Sequence, residues 1–252
     1  MPYKEKETSK LYYTIGEVSE MFDVNTSLIR FWEKEFDIIK PKKNKKGNRL
    51  FTPDDIDNFK VIYNLVKEQG LTLEGAKKYL KETKKIEGWF SIHDVVSFSS
   101  ILNIQQNLAI SGSLLEIGVY QGKSAIVVGN YSRAYGDFEV CDIFQLESDV
   151  ENEKEISSSY SNLQREIFET NYRNKLGVIP VIHECKSIDL KNKLVSESYR
   201  FIHIDGSHLY DHVVNDIELA LDVLTQEDGV IVMDDFRSQH TLGVSLAIWE
   251  KI

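Results

Sequence analysis

Cysteine is scarce in this sequence, and long apolar runs are missing. The 252 residues include only Cys141 and Cys185. Each lies within an apolar, strand-like run, so we expect packing and neither a disulfide nor a metal site. No apolar run approaches the ~20 residues that span a bilayer. The first residues, Met-Pro-Tyr-Lys-Glu-Lys-Glu, are too charged for a signal peptide. We therefore expect a cytoplasmic globular protein.

The charge of the chain is divided unevenly. The net charge is −10, yet residues 1–85 carry 18 basic and 14 acidic side chains, whereas residues 86–252 carry 12 and 26. Such a division predicts a basic domain that meets nucleic acid, joined to an acidic domain with a different function. We place the boundary near Gly88, and so expect domains at residues 1–85 and 86–252.

The first segment contains a helix-turn-helix pattern. Thr14, followed by Glu17 three residues later, predicts a capping box at the start of a short helix. A break at residues 23–25 precedes a second helix over 26–36, which is helix-turn-helix spacing. A basic loop follows over 40–49, and Thr52 and Pro53 predict the start of a third helix. A fourth helix is expected over 71–80.

Four stretches of this segment resemble the DNA-binding domain of the MerR family of transcriptional regulators. They are Tyr13-Thr-Ile-Gly-Glu-Val, Val24-Asn-Thr-Ser-Leu-Ile-Arg-Phe-Trp-Glu, Asn48-Arg-Leu-Phe-Thr and Gly70-Leu-Thr-Leu-Glu-Gly-Ala. The resemblance implies a winged helix-turn-helix that binds duplex DNA. It presents Asn25, Thr26, Ser27 and Arg30 to the major groove, and it places Lys42, Lys43, Lys45, Lys46 and Arg49 of the wing near phosphates.

Two further features of this segment bear on the family pattern. The aromatic residues Phe31, Trp32 and Phe36 fall at helical spacing, so we expect them in the core. Regulators of this family usually continue into a long dimer-forming helix, but here the chain passes into Gly88-Trp89-Phe90. The sequence therefore leaves open whether the protein forms a homodimer.

The second segment is organised around Ser113 to Ala125, which is typical of a buried strand, a glycine turn and a helix start. Its Gly-x-x-x-Gly spacing lacks the Gly-x-Gly-x-x-Gly of dinucleotide folds, which favours a nucleoside pocket over a phosphate cradle. Strand and helix patterns then alternate, with strands expected at 138–142, 178–183, 200–205 and 229–234 and a helix expected at 159–175. The predicted fold class is an all-α winged helix-turn-helix followed by an α/β Rossmann-like, doubly wound parallel sheet of five strands.

A set of residues at the strand ends resembles class I S-adenosylmethionine-dependent methyltransferases, in particular the macrocin-type O-methyltransferases. The set is Glu116-Ile-Gly-x-x-x-Gly122, Asp142, Asp205-Gly-Ser-His208 and Asp234-Asp235. The resemblance places Glu116, Gly118 and Gly122 along the methionine and ribose of the cofactor, and Asp142 on the ribose hydroxyls. It also makes Asp205, Asp234 and Asp235 ligands of a divalent metal and His208 a general base.

Three converging carboxylates repel one another unless a cation neutralises them, and oxygen ligands point to Mg²⁺. Such an ion lowers the pKa of a bound acceptor hydroxyl, whose proton His208 or His212 can take. Paired aspartates also commonly end a strand, and a single histidine after a strand is more often a turn residue. His183 and His203 lie inside apolar strands and are expected to be satisfied core residues.

The family's sheet has seven strands, but this sequence stops within a helix after the fifth, so we expect that strand to form an apolar edge. We therefore expect an O-methyltransferase, acting on a sugar or natural product, fused to a MerR-like regulator. The alternatives are a regulator that senses a small ligand without turnover, and a truncated or artificially joined chain.

Overall fold

The computed structural model describes residues 10–68, 70–83, 85–132, 137–144 and 164–251. Contacts divide the chain into two compact units, residues 1–84 with 91–96, and residues 85–90 with 97–252. Within the described ranges, no helix is both long and apolar enough to cross a bilayer.

The first unit is helical, with one small hairpin. Its helices are α1 (Ile15–Met21), α2 (Thr26–Glu35), α3 (Pro53–Tyr63) and α4 (Leu73–Thr83), and a π-helical turn, Asn64–Glu68, extends α3. The antiparallel strands β1 (Lys42–Lys43) and β2 (Arg49–Leu50) form the hairpin. Thr14 and Thr52 make the predicted caps of α1 and α3, each in a reciprocal capping box.

The core of this unit contains Trp32 and Phe36, as predicted. The prediction was wrong for Phe31, which is 43% exposed. Helical periodicity turns each successive residue by about 100°, so the neighbour of a buried residue can point outward. Phe31 therefore lies on the exposed face of α2 with Arg30.

The second unit alternates strands and helices. The strands are β3 (Ser113–Ile117), β4 (Phe138–Asp142), β5 (Val181–Glu184), β6 (Tyr199–Ile204) and β7 (Val230–Met233). The helices are α5 (Ile92–Asn107), whose residues up to Val96 belong to the first unit, α6 (Lys123–Gly129), α7 (Arg165–Leu176), α8 (Tyr210–Val223) and α9 (Leu242–Lys251). A 3₁₀ turn occupies Ser187–Leu190.

The five strands form one parallel sheet in the order β5-β4-β3-β6-β7. Both faces are covered, as β6 illustrates. Phe201 and His203 contact Phe98 of α5 on one face, whereas Ile202 and Ile204 pack in a cluster with Leu219 of α8 on the other. The predicted doubly wound sheet is confirmed. Its order reverses between β3 and β6, the switch point at which such sheets bind ligands.

Two predicted elements differ in extent from the structure. The strand predicted at 178–183 is β5, which begins at Val181 because its pairing with β4 starts only there. Pro180, which lacks an N–H donor, directly precedes that start. The predicted helix over 159–175 is observed from Arg165, and residues 159–163 lie outside the described part of the chain.

Candidate functional site

The N-terminus of α2 presents the predicted base-reading residues. Asn25, Ser27 and Arg30 are exposed, and Thr26 is half-buried. Asn25 caps the helix, because its Oδ1 accepts the backbone N–H of Leu28 at 2.8 Å. Arg30 donates to the Thr26 hydroxyl at 3.2 Å along the helix. Asn25 therefore has a structural task in addition to any contact with DNA.

The hairpin presents four lysines to solvent. Lys42, Lys43, Lys45 and Lys46 are all exposed. Asn44 stabilises the turn between them, because its Oδ1 accepts the N–H groups of Lys46 and Asn48, each at 2.9 Å. The remaining predicted phosphate contact, Arg49, is half-buried and forms an ion pair with Glu33 of α2. The structure therefore ties Arg49 to the second helix, while the lysines extend into solvent.

The glycine turn after β3 needs both of its glycines. Gly118 and Gly122 have φ angles of +83° and +90°. A Cβ on Gly118 would lie 2.1 Å from the carbonyl oxygen of Asp205, and one on Gly122 would lie 2.9 Å from the Phe168 ring. The turn therefore packs closely against the end of β6 and against Phe168 of α7, with no room for a side chain at either glycine.

Asp142, the last residue of β4, holds this turn. Its Oδ2 accepts the backbone N–H groups of Val119 at 2.8 Å and Tyr120 at 3.1 Å, and its Oδ1 accepts that of Phe144 at 2.9 Å. Burial raises the pKa of the Asp142 carboxyl, and the backbone N–H groups of Phe144, Val119, Tyr120 and Ile143 oppose that rise. Because a carboxylate oxygen can accept two hydrogen bonds, Oδ1 retains capacity for one ligand hydroxyl.

Glu116 is fully buried in the centre of β3. Its Oε1 accepts a hydrogen bond from the Ser124 hydroxyl and lies 2.8 Å from Nδ1 of His203. Burial by itself would lower the pKa of His203, but the hydrogen bond to Glu116 and its charge raise that pKa above its ordinary value. His203 is buried in β6, and Glu116 holds its ring.

Asp205 and Asp234 meet His203 at the carboxyl ends of β6 and β7. A ring nitrogen of His203 and one carboxylate oxygen from each aspartate lie within 4.8 Å of one another. Both aspartates are exposed. The pKa of Asp205 is raised by partial loss of hydration and by the charge of Asp234, while His203 opposes the rise. The donor set suits a divalent cation, which would offset this negative charge.

Asp235 lies outside that group. Its Oδ2 is 2.9 Å from Nε2 of His208, so the structure places the expected third metal ligand beside the expected base. Asp235 has a φ of +57°, unusual for a residue with a side chain. Its carbonyl oxygen accepts the hydroxyl of Thr241 at 3.2 Å and the N–H of Ser238 at 3.0 Å, which hold it in that conformation. His212, the other expected base, has its Nδ1 2.9 Å from the Ser207 hydroxyl.

A small cleft joins these groups. It is lined on its polar side by Asp205, His208 and Asp234, and on its apolar side by Val213, Met233 and Val244, and its cavity volume is about 10 Å³. A cavity of that volume holds about one water molecule, so the cleft does not enclose a substrate in this conformation.

Sequence reasoning missed the place of His203 in this group. The available signal was its spacing, since residues two apart in a strand point to the same face and Asp205 follows His203 by two. A histidine within an apolar strand is more often a core residue, and for that reason the sequence predicted His203 to lie in the core.

Comparison with known families agrees with this architecture. Residues 13–83 match the family described as MerR HTH family regulatory protein. Residues 115–236 match the family described as Methyltransferase domain.

The similar curated proteins match the first segment. The HTH-type transcriptional regulator MlrA of Salmonella typhimurium is 32% identical over 79 residues, covering 31% of this chain and 32% of that protein. The regulator GlnR of Bacillus anthracis is 32% identical over 77 residues, covering 31% of this chain and 58% of that protein. The matched segment thus spans about a third of the length of MlrA.

Among solved structures, cofactor-bound Rv0187 from MTB has a TM-score of 0.52 and 15% identity, covering 79% of this chain and 84% of that one. This likeness concerns the fold. The family matches lead to one assignment: the chain joins a MerR-family helix-turn-helix domain, residues 13–83, to a methyltransferase-family domain that spans residues 115–236.

Proposed function

We propose that this protein is a DNA-binding transcriptional regulator that also carries an S-adenosylmethionine-dependent O-methyltransferase, whose acceptor is a small hydroxylated molecule such as a sugar or natural product. The observation that supports this most is the convergence at the switch point of the sheet. Gly118 follows β3, Asp142 ends β4, and Asp205 and Asp234 follow β6 and β7. Ligands of such sheets bind outside the carboxyl ends of the strands.

The glycine turn and Asp142 are the proposed cofactor site. The backbone of this turn would contact the methionine and ribose, and Oδ1 of Asp142 can accept a ribose hydroxyl. Glu116 is buried, so its proposed part is to hold Ser124 and His203 behind the turn. Bound S-adenosylmethionine would supply an activated methyl group on a sulfonium.

The polar side of the cleft is the proposed acceptor site. Asp205 and Asp234 would hold a divalent cation, which lowers the pKa of an acceptor hydroxyl bound to it. His208 would then take the hydroxyl proton. Its Nε2 is engaged by Asp235, so Nδ1 is the atom left to accept that proton. In methyl transfer the sulfur–methyl bond of the cofactor would break, an oxygen–methyl bond would form on the acceptor, and the acceptor's hydroxyl proton would pass to His208.

The first domain supplies the proposed DNA contacts. Ser27 and Arg30 are exposed at the start of α2, where side chains of a recognition helix reach base edges. The four wing lysines carry positive charge suited to phosphates.

Calorimetric titration of the full chain with S-adenosylmethionine, with and without Mg²⁺, tests this function. We expect saturable binding, and transfer of a labelled methyl group to one member of a panel of hydroxylated acceptors. Binding without transfer to any acceptor would favour a regulator that senses its ligand without turnover. Absence of binding to both S-adenosylmethionine and its demethylated product would contradict the proposal.

A further inference from the structure

We propose that Cys141 and Cys185 are a redox-active pair, which a peroxide converts to a reversible disulfide that loosens the glycine turn after β3. As the sequence predicted, both cysteines pack with the core of the second unit, and both thiols are free. The disulfide would be a second, oxidised state of the same two side chains. Its formation is independent of methyl transfer, and only its effect on S-adenosylmethionine binding rests on the proposed function.

A bend at the end of β5 brings the two cysteines together. Cys141 of β4 pairs with His183 of β5. The backbone N–H of Cys185 then donates to the carbonyl of His183 at 3.1 Å, a three-residue turn that folds the chain back. As a result, the Cys141 thiol donates to the carbonyl oxygen of Cys185 at 3.3 Å. Disulfides join cysteines whose Cα atoms lie about 4.4–6.8 Å apart, a range that includes the spacing of about 4.8 Å between neighbouring strands.

The two thiols have different surroundings, which assign them different roles. Cys185 is half-buried, and the exposed Lys193 donates from Nζ to its sulfur at 3.3 Å. That positive charge lies beside the sulfur that carries negative charge as it attacks an oxidant. Burial raises the pKa of the Cys141 thiol, and the charge and hydrogen bond of the Cys185 side chain raise that pKa further. Cys185 is therefore the thiol that meets the peroxide, and Cys141 is the one that closes the bond.

The reaction balances with one molecule of hydrogen peroxide. The Cys185 thiolate attacks a peroxide oxygen, which breaks the O–O bond, forms a sulfenic acid and releases hydroxide. The Cys141 sulfur loses its proton and attacks the sulfenic sulfur, which forms the S–S bond and releases water. The proton that Cys185 lost converts the hydroxide to a second water. The two thiols thus lose two electrons and two protons, and a dithiol such as dithiothreitol reverses the change.

The backbone of Cys141 connects this pair to the glycine turn. Its carbonyl oxygen accepts the N–H of Gly118 at 2.8 Å. The next residue, Asp142, accepts the N–H groups of Val119 and Tyr120. Because β4 lies between β5 and β3, a bond that draws Cys141 toward β5 draws these acceptors away from the turn. The oxidised chain therefore holds the turn less firmly and binds S-adenosylmethionine more weakly.

Mass spectrometry of the full chain, reduced and then treated with equimolar hydrogen peroxide, tests the bond. The oxidised chain should be lighter by two hydrogen atoms, and its digest should contain a peptide pair joined through Cys141 and Cys185. Hydrogen exchange of the amides at 118–120 should become faster by about threefold or more. The affinity for S-adenosylmethionine should fall by a similar factor in calorimetry, and dithiothreitol should restore both values.

Cys141→Ser and Cys185→Ser are the matched controls. Neither variant can form the bond, so peroxide should leave the exchange of the turn and the affinity unchanged in both. The variants keep the three methionines of the chain, so an effect of methionine oxidation would persist in them. Lys193→Gln should slow disulfide formation without changing the affinity of the reduced chain. The wild-type measurements decide even if Cys141→Ser fails to fold.

Three results would overturn the proposal. One is peroxide-treated wild type in which the cysteines are oxidised separately and no joined peptide pair is found. Another is a disulfide between two chains, seen as a doubled mass. The third is a bond within the chain that leaves the exchange of the turn unchanged. If the reduced chain binds neither S-adenosylmethionine nor its demethylated product, the proposed function fails, while the mass and exchange measurements still decide the disulfide.

Discussion

At the scale of single residues, Asp142 has two tasks that one substitution can reveal. Its Oδ2 holds the glycine turn and its Oδ1 retains capacity for a ligand. Asp142→Ala should weaken S-adenosylmethionine binding by about 1–3 kcal/mol, because hydrogen bonds to a charged group are lost. Calorimetry measures the change, and Asp222→Asn, on the exposed side of α8, serves as the control. Unchanged affinity in Asp142→Ala would remove Asp142 from the cofactor site.

Asp216 of α8 predicts how stability depends on pH. It is 1% exposed. Burial raises its pKa from 3.8 to about 6, an effect that the neighbouring Ser187 hydroxyl only partly offsets. The folded state therefore binds the proton more tightly than the unfolded state, so this residue's contribution to stability falls as the pH rises from about 4 to 6.

Asp216→Asn should remove that dependence. Two pKa units correspond to roughly 3 kcal/mol, so the variant should gain up to about that amount of unfolding free energy at pH 7.5 and little at pH 4. Denaturant unfolding at both pH values measures it, with Asp222→Asn as the control on the same helix. An equal effect at both pH values would mean that Asp216 does not titrate in this range.

At the scale of elements, the sheet should not be uniformly stable. β3 is central and buried over Leu114–Ile117, whereas β7 pairs in the described structure only with β6 and is half-buried throughout. We expect fast hydrogen exchange in residues 230–234 and slow exchange in residues 114–117, because an edge strand opens without disturbing its neighbours. Equal protection of the two strands would contradict this.

The hairpin of the first domain should make DNA binding strongly dependent on salt. Each phosphate that a lysine neutralises contributes about −0.9 to the slope of log K against log [salt]. Replacing Lys45 and Lys46 by alanine should therefore make the slope less negative by roughly 2 for the full chain on duplex DNA. Lys60→Ala, on α3, is the control. Binding to duplex DNA that is equally strong at low and high salt would exclude phosphate contacts by these lysines.

At the scale of the whole molecule, each unit has its own core. One cluster contains Trp32 and Phe59, and another contains Leu115 and Ile202. We expect two thermal transitions. S-adenosylhomocysteine at a hundred times its Kd should stabilise only one unit, by about 2.7 kcal/mol, and duplex DNA should stabilise only the other. Calorimetric scans measure both effects. A single transition whose temperature is raised by both ligands would show that the domains unfold together.

The sequence by itself determined the elements and their order. The capping boxes at Thr14 and Thr52 depend on residues three positions apart, and the glycine turn after β3 depends on local backbone freedom. Such features need no knowledge of distant parts of the chain. The carboxylates at strand ends could therefore be identified before the strands were assembled.

Only the tertiary structure decided which of these side chains meet. His203 joins Asp205 and Asp234, while Asp235 turns to His208, because the pairing of β6 with β7 and the positive φ of Asp235 set those directions. The same reason explains Arg49, whose partner Glu33 lies on another element. Strand register and packing join residues far apart in the chain, and no local pattern encodes the partner.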